Sequence, residues 1–387
     1  MIVLTVNTGS TSVKLAAFEV EGAQAAAAQA PRTAPRRLQA QHLTGAHLDP
    51  AASLRSFLGQ LPEDPAAVAH RVVHGGTRFS APALIDEGTR QAIEDLAELA
   101  PLHNPVALKW IDAARELCAP PVAQVAAFDT SFFCALPRVA AEYALAPELG
   151  VQLGVRRYGF HGLAHEAQWR RWMELEPALP GGGKLITLQL GGGCSMAALD
   201  QGRPRDTSMG FSPLEGLVMA TRSGDLDAAV VPYLERRLGK SGAHILTLLN
   251  EQSGLAGVAG SAGDPQSLLE AGSERARLAV ELYCYRARKY LGAYLAVLGG
   301  CHGITFGGGV GEHVPEIRAR ILSGFEWAGI ELDPAANQAA SGIESRISAP
   351  GSRVTVRVLP VYEELLMVRA VLTVAKLQPD PTARTLP

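Results

Sequence analysis

The stretch that decides the fold lies at the start of the chain, where residues 2–20 read IVLTVNTGSTSVKLAAFEV. Residues 2–6 and 13–20 are mostly apolar and suit two strands, whereas the Asn, Thr, Gly and Ser residues at 7–12 suit a tight, exposed turn. The stretch therefore predicts a β-hairpin with a polar loop at its tip.

A second stretch repeats this design near the middle of the chain. Residues 184–200 read KLITLQLGGGCSMAALD, which is again a strand, a glycine turn and a strand. Similarity at this distance indicates a duplicated domain rather than an array of short repeats. The length of 387 residues also suits two domains, at ~150 residues for each.

Composition narrows the class of function. A hydrophobic fraction of 47%, a charged fraction of 19% and forty glycines are typical of a globular, turn-rich α/β protein. The net charge of −3 leaves no basic stripe for nucleic acid or for an anionic membrane surface, so small-molecule chemistry is favoured. We also find no signal peptide and no apolar run near the ~20 residues that span a bilayer. We expect a cytoplasmic protein without membrane or nucleic-acid partners.

Other elements follow from periodicity and turn residues. The five cysteines are widely spaced and form no Cys-x-x-Cys pair, which favours buried free thiols over disulfides or zinc. Residues 21–48 are interpreted as a variable surface connection with weak strands at most. The remaining predicted elements are strands at 68–74, 122–128 and 303–306, and helices at 87–100, 104–118 with Asn104 as its cap, 274–298 with Ser273 as its cap, and 363–376.

Three glycine-rich loops, each following a strand, carry the strongest chemical signal. They lie at 7–12, 191–193 and 307–311. Glycine allows backbone N–H groups to approach phosphate oxygens, and Ser or Thr hydroxyls add further donors. One such loop is more often a plain hairpin, but three in a two-domain chain favour nucleotide binding. None fits the Rossmann or P-loop pattern.

Charged and imidazole side chains near these loops are candidates for anion and metal chemistry. The cations are Lys14, Arg71 and Arg222, and a guanidinium can hold a carboxylate or a phosphoryl group in a bidentate fork. An isolated arginine is more often in a surface ion pair. His161 and His165 have helical zinc spacing, but the sequence offers no third ligand, so hydrogen bonding is favoured.

Seven motifs in sequence order resemble those of the acetate kinase family, within the superfamily of acetate and sugar kinases, Hsp70 and actin. The resemblance covers nearly the full length and is weakest at 21–60 and 240–275. The motifs are NTGSTSVK at 7–14, HRVVHGG at 70–76, PLHNP at 101–105, FDT at 128–130, YGFHG at 158–162, DTSMGFSPLEG at 206–216 and RSGD at 222–225.

The resemblance implies an α/β fold with two duplicated actin-like ATPase (ribonuclease H-like) domains and a cleft between them. The N-terminal domain would comprise residues 1–130 and 365–387, and the nucleotide-binding C-terminal domain residues 131–364. It further implies direct in-line transfer from ATP to acetate, giving acetyl phosphate and ADP, with Mg²⁺ or alternatively Mn²⁺, in a homodimer.

Site residues are implied by the same resemblance. The catalytic residues would be Asp129, Arg71, His161 and Arg222. Arg71 would also bind the substrate carboxylate, beside an apolar pocket of Val73, Leu102, Phe160 and Pro213 for the methyl group of acetate or propionate. Mg²⁺ would be held by Asn7 and Glu363 with Asp129. The nucleotide and its phosphates would contact Ser10, Ser12, Lys14, Gln189, Gly191, Gly192, Gly193, Asp264, Pro265, Gln266, Gly307, Gly308, Gly309, Val310 and Gly311.

Three departures from the family pattern all lie on the nucleotide side. Gln189-Leu190-Gly191-Gly192-Gly193 replaces His-Leu-Gly-Asn-Gly, Asp264-Pro265-Gln266 lacks the arginine of Asp-x-Arg, and 307–313 reads GGGVGEH instead of TAGIGEN. Alternatives therefore stay open: propionate or butyrate as the acceptor, a donor such as pyrophosphate, or a nucleotide-binding regulator without turnover.

Overall fold

The computed structural model describes residues 1–9, 12–20, 35–45, 48–118 and 120–375. Contacts divide the chain into two units, with unit 1 comprising Met1–Cys134 and Tyr362–Pro387 and unit 2 comprising Ala135–Val361. The predicted domain boundaries at 130 and 364 stay predictions. In the structure the chain passes from unit 1 to unit 2 after residue 134 and returns to unit 1 after residue 361. Glu363 therefore belongs to unit 1.

Unit 1 combines one sheet with four helices among its described residues. Its strands are β1 Ile2–Thr8, β2 Ser12–Glu19, β3 Arg36–Thr44, β4 Ala67–Val72, β5 Ala83–Leu84 and β6 Ala123–Phe128. Its α-helices are α1 Pro50–Leu58, α2 Glu87–Asp95, α3 Asn104–Leu117 and, at the far end of the chain, α14 Glu363–Ala375. Short 3-10 helices cover Leu96–Glu98 and Asp129–Ala135.

Unit 2 has the same kind of sheet and more helices. Its strands are β7 Lys184–Leu190, β8 Cys194–Asp200, β9 Arg203–Thr207, β10 Gly303–Gly307, β11 Ser345–Arg346 and β12 Thr355–Val358. Its helices are α4 Arg138–Ala141, α5 Gly162–Leu175, α6 Val230–Leu238, α7 Gly242–Glu251, α8 Gly254–Ala259, α9 Pro265–Ala271, α10 Glu274–Leu298, α11 Gly308–His313, α12 Pro315–Leu322 and α13 Pro334–Ala339, with 3-10 turns at Val151–Leu153, Pro180–Gly182 and Glu326–Ala328.

The two sheets correspond strand for strand. In unit 1 the order is β3-β2-β1-β4-β6-β5, with β1 antiparallel to β2 and parallel to β4, which is parallel to β6. In unit 2 the order is β11-β12-β10-β7-β8-β9, with β7 antiparallel to β8 and parallel to β10, which is parallel to β12. The predicted α/β fold with two duplicated actin-like domains is confirmed, including both glycine-turn hairpins.

The core of unit 1 fixes the sheet edge at which the candidate residues lie. Strand β1 is buried along its whole length. Its Leu4 packs in a cluster with Leu15 of β2, Phe57 of α1 and Trp110 of α3. Burying one such side chain contributes roughly 1.5–3 kcal/mol. Helix α14 packs against β1, β4 and β6 and begins at Glu363, so the sheet sets the position of this carboxylate.

Helix α10 was predicted correctly together with its cap. It runs over Glu274–Leu298, and the Ser273 hydroxyl accepts a hydrogen bond from the Ala276 amide at 3.2 Å. Gly299 ends it in the left-handed conformation, which glycine adopts without steric cost. The helix buries Val280, Leu291 and other apolar side chains along one face, as its periodicity requires.

Two local predictions were wrong. The connection at 21–48 contains a nine-residue edge strand, β3, rather than weak strands at most, although residues 21–34 and 46–47 lie outside the described part. Asn104 does not cap α3: its side chain binds the backbone of His74, and the cap position is taken by His103. The Asn104 amide is buried, so it pairs with the nearest buried backbone groups.

The remaining expectations have mixed outcomes. None of the five cysteines forms a disulfide. Cys118, Cys194 and Cys284 are buried as predicted, whereas Cys134 is exposed. The third glycine run is not a loop: after Gly307 it forms α11, because β10 passes directly into a helix there. No helix in the described ranges is long and apolar enough to cross a membrane.

Buried histidines predict a loss of stability at mildly acidic pH. Burial lowers the pKa of His70 and of His74 from 6.5 to about 4, and lowers the pKa of His165 well below its usual range. Between pH 6.5 and 4 the unfolded chain therefore binds more protons than the folded chain. We expect the free energy of unfolding to decrease as the pH is lowered from 6.5 to 4, by up to ~1.4 kcal/mol per pH unit for each histidine.

Urea unfolding, followed by tryptophan fluorescence at a series of pH values, measures this slope. His70→Gln removes one titrating group while keeping a donor toward Gln124, and it should flatten the slope. The exposed His244→Gln change is the matched control and should not. Equal slopes for all three proteins would contradict the prediction.

Candidate active site

In unit 1 three predicted residues lie at one edge of the sheet. Asn7 is near the end of β1, Arg71 is near the end of β4, and Asp129 directly follows β6. These strands are parallel neighbours, so their carboxyl ends meet at the same edge, where ligands commonly bind in open α/β sheets. Residues far apart in sequence are thereby brought together.

Direct hydrogen bonds join this group into what we call the unit 1 cluster: Asn7, Arg71, Asp129 and Glu363. Arg71 donates to Asp129 Oδ2 from Nε at 3.1 Å and from Nη2 at 2.6 Å, and from Nη1 to Asn7 Oδ1 at 3.2 Å. Asn7 Nδ2 in turn donates to Glu363 Oε2 at 2.8 Å. The four side chains therefore orient one another.

The unit 1 cluster combines one guanidinium with two carboxylates. Burial alone would lower the pKa of Arg71, but the charges of Asp129 and Glu363 outweigh it and raise the pKa above its usual range. Asp129 is fully buried and Glu363 Oε2 lies 3.9 Å from Arg71 Nη1. The net negative charge suits a further cation, and carboxylate and carboxamide oxygens are the donors that Mg²⁺ prefers.

Within the described residues no three His, Cys, Asp or Glu side chains are arranged to hold a metal ion by themselves. This arrangement fits Mg²⁺, because Mg²⁺ usually keeps several waters and takes only one or two protein carboxylates, with phosphate oxygens completing its shell. Asp129 and Glu363 provide two carboxylates, and Asn7 contacts Glu363 directly.

The first glycine loop is described only in part. Lys14 is exposed and lies opposite Asn7 in the antiparallel register of β1 and β2, so the two side chains share one face. The Ser12 carbonyl accepts from the Gly9 amide at 2.8 Å, which closes the turn. The predicted phosphate contact Ser10 lies outside the described residues.

In unit 2 the second and third glycine runs are neighbours. Strands β7 and β10 are parallel, so 191–193 and 307–311 follow the same edge of the sheet. Gly308 has φ +77°, and a Cβ there would lie 2.6 Å from the Leu190 carbonyl and 3.0 Å from Gln189 Nε2. Only glycine allows this approach. The structure thus brings Gln189 and both glycine runs together.

Side chains that the sequence did not point to hold α11 in place. Glu312 Oε1 accepts from the Gly308 amide at 2.9 Å. The guanidinium of Arg318 is buried and donates to the carbonyls of Gly311 and Glu312 at 2.8 and 3.0 Å. The short glycine helix therefore has fixed ends. Helix α12 also carries Glu316 and Arg320, so its charge pattern did not single out Arg318 as the buried residue.

Arg222 lies on a loop that is anchored to the second glycine run. The Ala220 amide donates to the Gly192 carbonyl at 3.0 Å, and a Cβ at Gly263 would lie 2.2 Å from the Ala220 carbonyl. Arg222 Nη1 donates to the Pro213 carbonyl at 3.3 Å. Across the described residues no carboxylate lies within 4.0 Å of this guanidinium, and burial lowers its pKa.

His161 stands beside Arg222 and has an unusual backbone. Its φ of 56° and ψ of 30° are left-handed, a conformation that is uncommon for residues other than glycine and that clusters at functional sites. A Cβ at Gly193 would lie 3.4 Å from His161 Nε2 and 3.7 Å from Arg222 Nη1. His161, Gly193 and Arg222 therefore adjoin, and we call them the unit 2 cluster.

The other predicted residues are divided between the units. Val73 is buried and Leu102 is 47% exposed in unit 1, whereas Phe160 is buried and Pro213 contacts Arg222 in unit 2. Asp264 caps α9 by accepting from the Ser267 amide at 2.9 Å, with Pro265 and Gln266 in the first turn of that helix. The sequence analysis assigned this segment to the nucleotide and did not predict the helix that it begins.

Sequence reasoning also missed the support of the 206–216 loop. Glu215 accepts from Arg157 Nη2 at 2.6 Å and from the Tyr143 hydroxyl, and the same hydroxyl accepts from the Phe211 amide. A Cβ at Gly210 would clash with Glu215. The loop that presents Pro213 is thus fixed by a polar network. Arg157 directly precedes the motif at 158–162, and this was its only signal.

The two matching sheets, each with a hairpin turn after its first strand, have the fold of the actin-like class of kinases. The chain belongs to the acetokinase family, which it matches over residues 2–369.

Two curated relatives illustrate the similarity in sequence. The acetate kinase of Solibacter usitatus is 46% identical over 322 residues, covering 82% of this chain and 78% of that protein. The acetate kinase of Streptomyces coelicolor is 40% identical over 385 residues, covering 94% of each.

Solved structures agree. An acetate kinase from Porphyromonas gingivalis superposes with a TM-score of 0.84 at 34% identity, covering 97% of this chain and 99% of that one. A propionate kinase from Francisella tularensis superposes with a TM-score of 0.83 at 32% identity, covering 95% and 98%.

The contact of Gly193 with His161 and Arg222 gives a prediction. Gly193→Ala should lower kcat/KM with acetate and ATP about tenfold if His161 takes part in the reaction. The added Cβ would lie 3.4 Å from His161 Nε2, so the ring must move by a few tenths of an ångström, and small misplacements of reacting groups lower rates. Steady-state kinetics with acetate and ATP measure the change.

Gly192→Ala is the matched comparison, since a Cβ there meets no atom within 4 Å. It should lose clearly less activity, with the unfolding midpoint of both variants close to that of the parent. Equal losses at the two positions would show that the contact with His161 is not responsible.

Proposed function

We propose that this protein catalyses the reversible transfer of a phosphoryl group between ATP and acetate, giving acetyl phosphate and ADP. The observation that carries the proposal is Arg222, a largely buried guanidinium beside His161 and the second glycine run, with no carboxylate partner in the described ranges. A cation in such surroundings suits an anion, and phosphoryl transfer depends on positioning and on charge stabilisation.

Each residue of the unit 2 cluster has a distinct task in this proposal. Arg222 neutralises charge on the transferring phosphoryl group, and His161 donates a hydrogen bond to its oxygens. Gly193 leaves room for both side chains. Backbone amides of the two glycine runs and the Gln189 amide contact the remaining phosphates.

Arg71 binds the acceptor carboxylate. Its hydrogen bonds to Asp129 and Asn7 use one N–H on each terminal nitrogen, so each terminal nitrogen keeps one N–H for a substrate. Asp129 fixes the plane of the guanidinium through Nε and Nη2. The acceptor therefore meets a pre-oriented donor pair, which lowers the entropic cost of alignment.

Asn7, Asp129 and Glu363 would hold Mg²⁺, with Mn²⁺ as a substitute, directly or through waters. When bound, the ion neutralises charge on the nucleotide phosphates. The donor set supports this placement, because it consists of hard oxygen ligands with net negative charge. Ser12 and Lys14, with Ser10, support the phosphate end.

A small acid is the favoured acceptor. On the family resemblance alone, Val73, Leu102, Phe160 and Pro213 are each proposed to contact the methyl group of the acceptor. One added methylene is worth only ~1–3 kcal/mol, so propionate should be a poorer substrate rather than an excluded one. The propionate kinase among the similar structures agrees with this expectation. We further propose a cytoplasmic homodimer, on the strength of family membership alone.

The donor and acceptor specificity can be tested in one matrix. Purified protein with Mg²⁺ is assayed for acyl hydroxamate with acetate, propionate or butyrate against ATP, GTP or pyrophosphate. ATP with acetate should give the highest kcat/KM, and propionate should follow. If no pair yields an acyl phosphate, the proposed function is wrong, and the regulator alternative is favoured.

Arg222→Ala provides the second test. Loss of a preorganised charge donor should lower kcat by roughly 10²–10³-fold while nucleotide binding, measured by calorimetry, is nearly retained. Arg205→Ala is the matched control, because Arg205 is an exposed arginine paired with Asp200, and it should keep full activity. Loss of nucleotide binding together with activity would place Arg222 at the nucleotide instead.

A further inference from the structure

We propose that Thr187, Ser195 and His165 form a hydrogen-bonded relay that holds His161 in the tautomer carrying its proton on Nε2. The three would be positioning residues, since they act through His161. The relay deepens the proposed function, because a proton on Nε2 is what lets His161 donate to the phosphoryl group.

The four side chains form one continuous chain. His161 Nδ1 lies 2.9 Å from Ser195 Oγ, Ser195 Oγ lies 2.8 Å from His165 Nε2, and His165 Nδ1 lies 2.7 Å from Thr187 Oγ1. All three distances are those of good hydrogen bonds. The chain runs from the interior of β7 through α5 and β8 to His161.

His165 is the central element and stays neutral. It is fully buried, and burial together with the neighbouring His161 lowers its pKa well below the usual range. A neutral imidazole has one donor nitrogen and one acceptor nitrogen. Since both ring nitrogens of His165 contact hydroxyls, the relay must have a direction.

Thr187 sets that direction. Its hydroxyl is buried in β7, and His165 is its only hydrogen-bond partner within the described ranges. If Thr187 accepted from His165, its own O–H would be buried without an acceptor, which is costly. Thr187 therefore donates to His165 Nδ1, and His165 Nε2–H donates to Ser195 Oγ.

The remaining step fixes His161. Ser195 is also fully buried, and its oxygen already accepts from His165, so its O–H has His161 Nδ1 as its acceptor. A proton on Nδ1 of His161 would leave the Ser195 O–H without one. In the relay His161 therefore carries no proton on Nδ1, and its ring proton is placed on Nε2.

The position of His161 Nε2 explains why its protonation matters. Nε2 lies on the side of Gly193, where a Cβ would be 3.4 Å away, and Arg222 Nη1 borders the same position. A fixed N–H at this point adds a directional donor next to the guanidinium. A purely structural role, in which these side chains only hold α5 against the sheet, would not require oriented hydrogen bonds. Apolar side chains could make that contact without burying polar groups.

Nitrogen NMR of the full chain labelled with ¹⁵N-histidine tests the proposal. Long-range ¹H–¹⁵N spectra distinguish protonated from unprotonated ring nitrogens, and His161→Gln identifies the His161 signals. In the resting enzyme we expect His161 protonated at Nε2 and not at Nδ1. A proton on Nδ1, or an even mixture of the two tautomers, would overturn the proposal. This result needs no substitution in Thr187, Ser195 or His165.

Thr187→Val tests the origin of the direction. It keeps the shape of the side chain and removes the hydroxyl, so the His161 signals should shift toward a tautomer mixture. We expect kcat to fall by about an order of magnitude while KM for acetate and ATP stays nearly constant. Thr187→Ser keeps the hydroxyl and should restore the parental spectrum and kcat.

Thr305→Val is the matched control for loss of a buried hydroxyl. Thr305 lies opposite Thr187 in the parallel register of β10 and β7 and is equally buried, but it donates to Gln168 outside the relay. It should leave the His161 spectrum unchanged. Unchanged His161 signals in Thr187→Val would refute the relay. If no acyl phosphate is ever formed while the tautomer is as expected, the proposed function fails and the relay stands.

Discussion

Parallel pairing of the central strands is the constraint on which the rest of this structure depends. Because β1, β4 and β6 run in one direction, their carboxyl ends share an edge, and Asn7, Arg71 and Asp129 meet there although 122 positions separate the first from the last. The same constraint in unit 2 places two glycine runs after β7 and β10 side by side. Parallel pairing thus brings together the residues of both candidate clusters. In each unit the first parallel strand, β1 or β7, also forms an antiparallel hairpin with the next strand, and the turn of that hairpin is the first glycine run of the unit.

The two clusters have net charges of opposite sign. Arg71 is held by Asp129 and approached by Glu363, so the unit 1 cluster is negative overall despite its guanidinium. Two unit charges 4 Å apart interact by about 4 kcal/mol at an effective dielectric constant of 20, which is enough to hold such a pair rigidly. Arg222 lacks a carboxylate partner of this kind among the described residues and is desolvated. The net charge of the first cluster therefore suits a metal ion, and that of the second suits phosphate.

Features that depend on residues close together in the sequence were predicted correctly. Both glycine-turn hairpins, α10 and its Ser273 cap depend on neighbours within a few residues, and each was found in the structure. Asn104 looked like a cap by the same local rule, yet its amide is buried against His74, thirty positions earlier, and pairs there instead. Ser195 and Thr187 gave no signal, because an inward-facing hydroxyl on a strand is indistinguishable in sequence from a tolerated small residue. The left-handed backbone of His161 depends on its packing environment and was likewise beyond local rules.

Gly192 and Gly309 lie in the two glycine runs that follow neighbouring strands at one edge of the unit 2 sheet. A Cβ at either position meets nothing within 4 Å, so these residues are not glycine for lack of room in the folded chain. The edge therefore offers backbone amides and open space, where the family pattern has an asparagine side chain at the first position. Gln189 contributes a neutral amide where that pattern has a histidine. If the relay keeps His161 as a neutral donor too, Arg222 is the only positive charge of the unit 2 cluster. In the proposed reaction it would therefore provide most of the charge stabilisation in this unit.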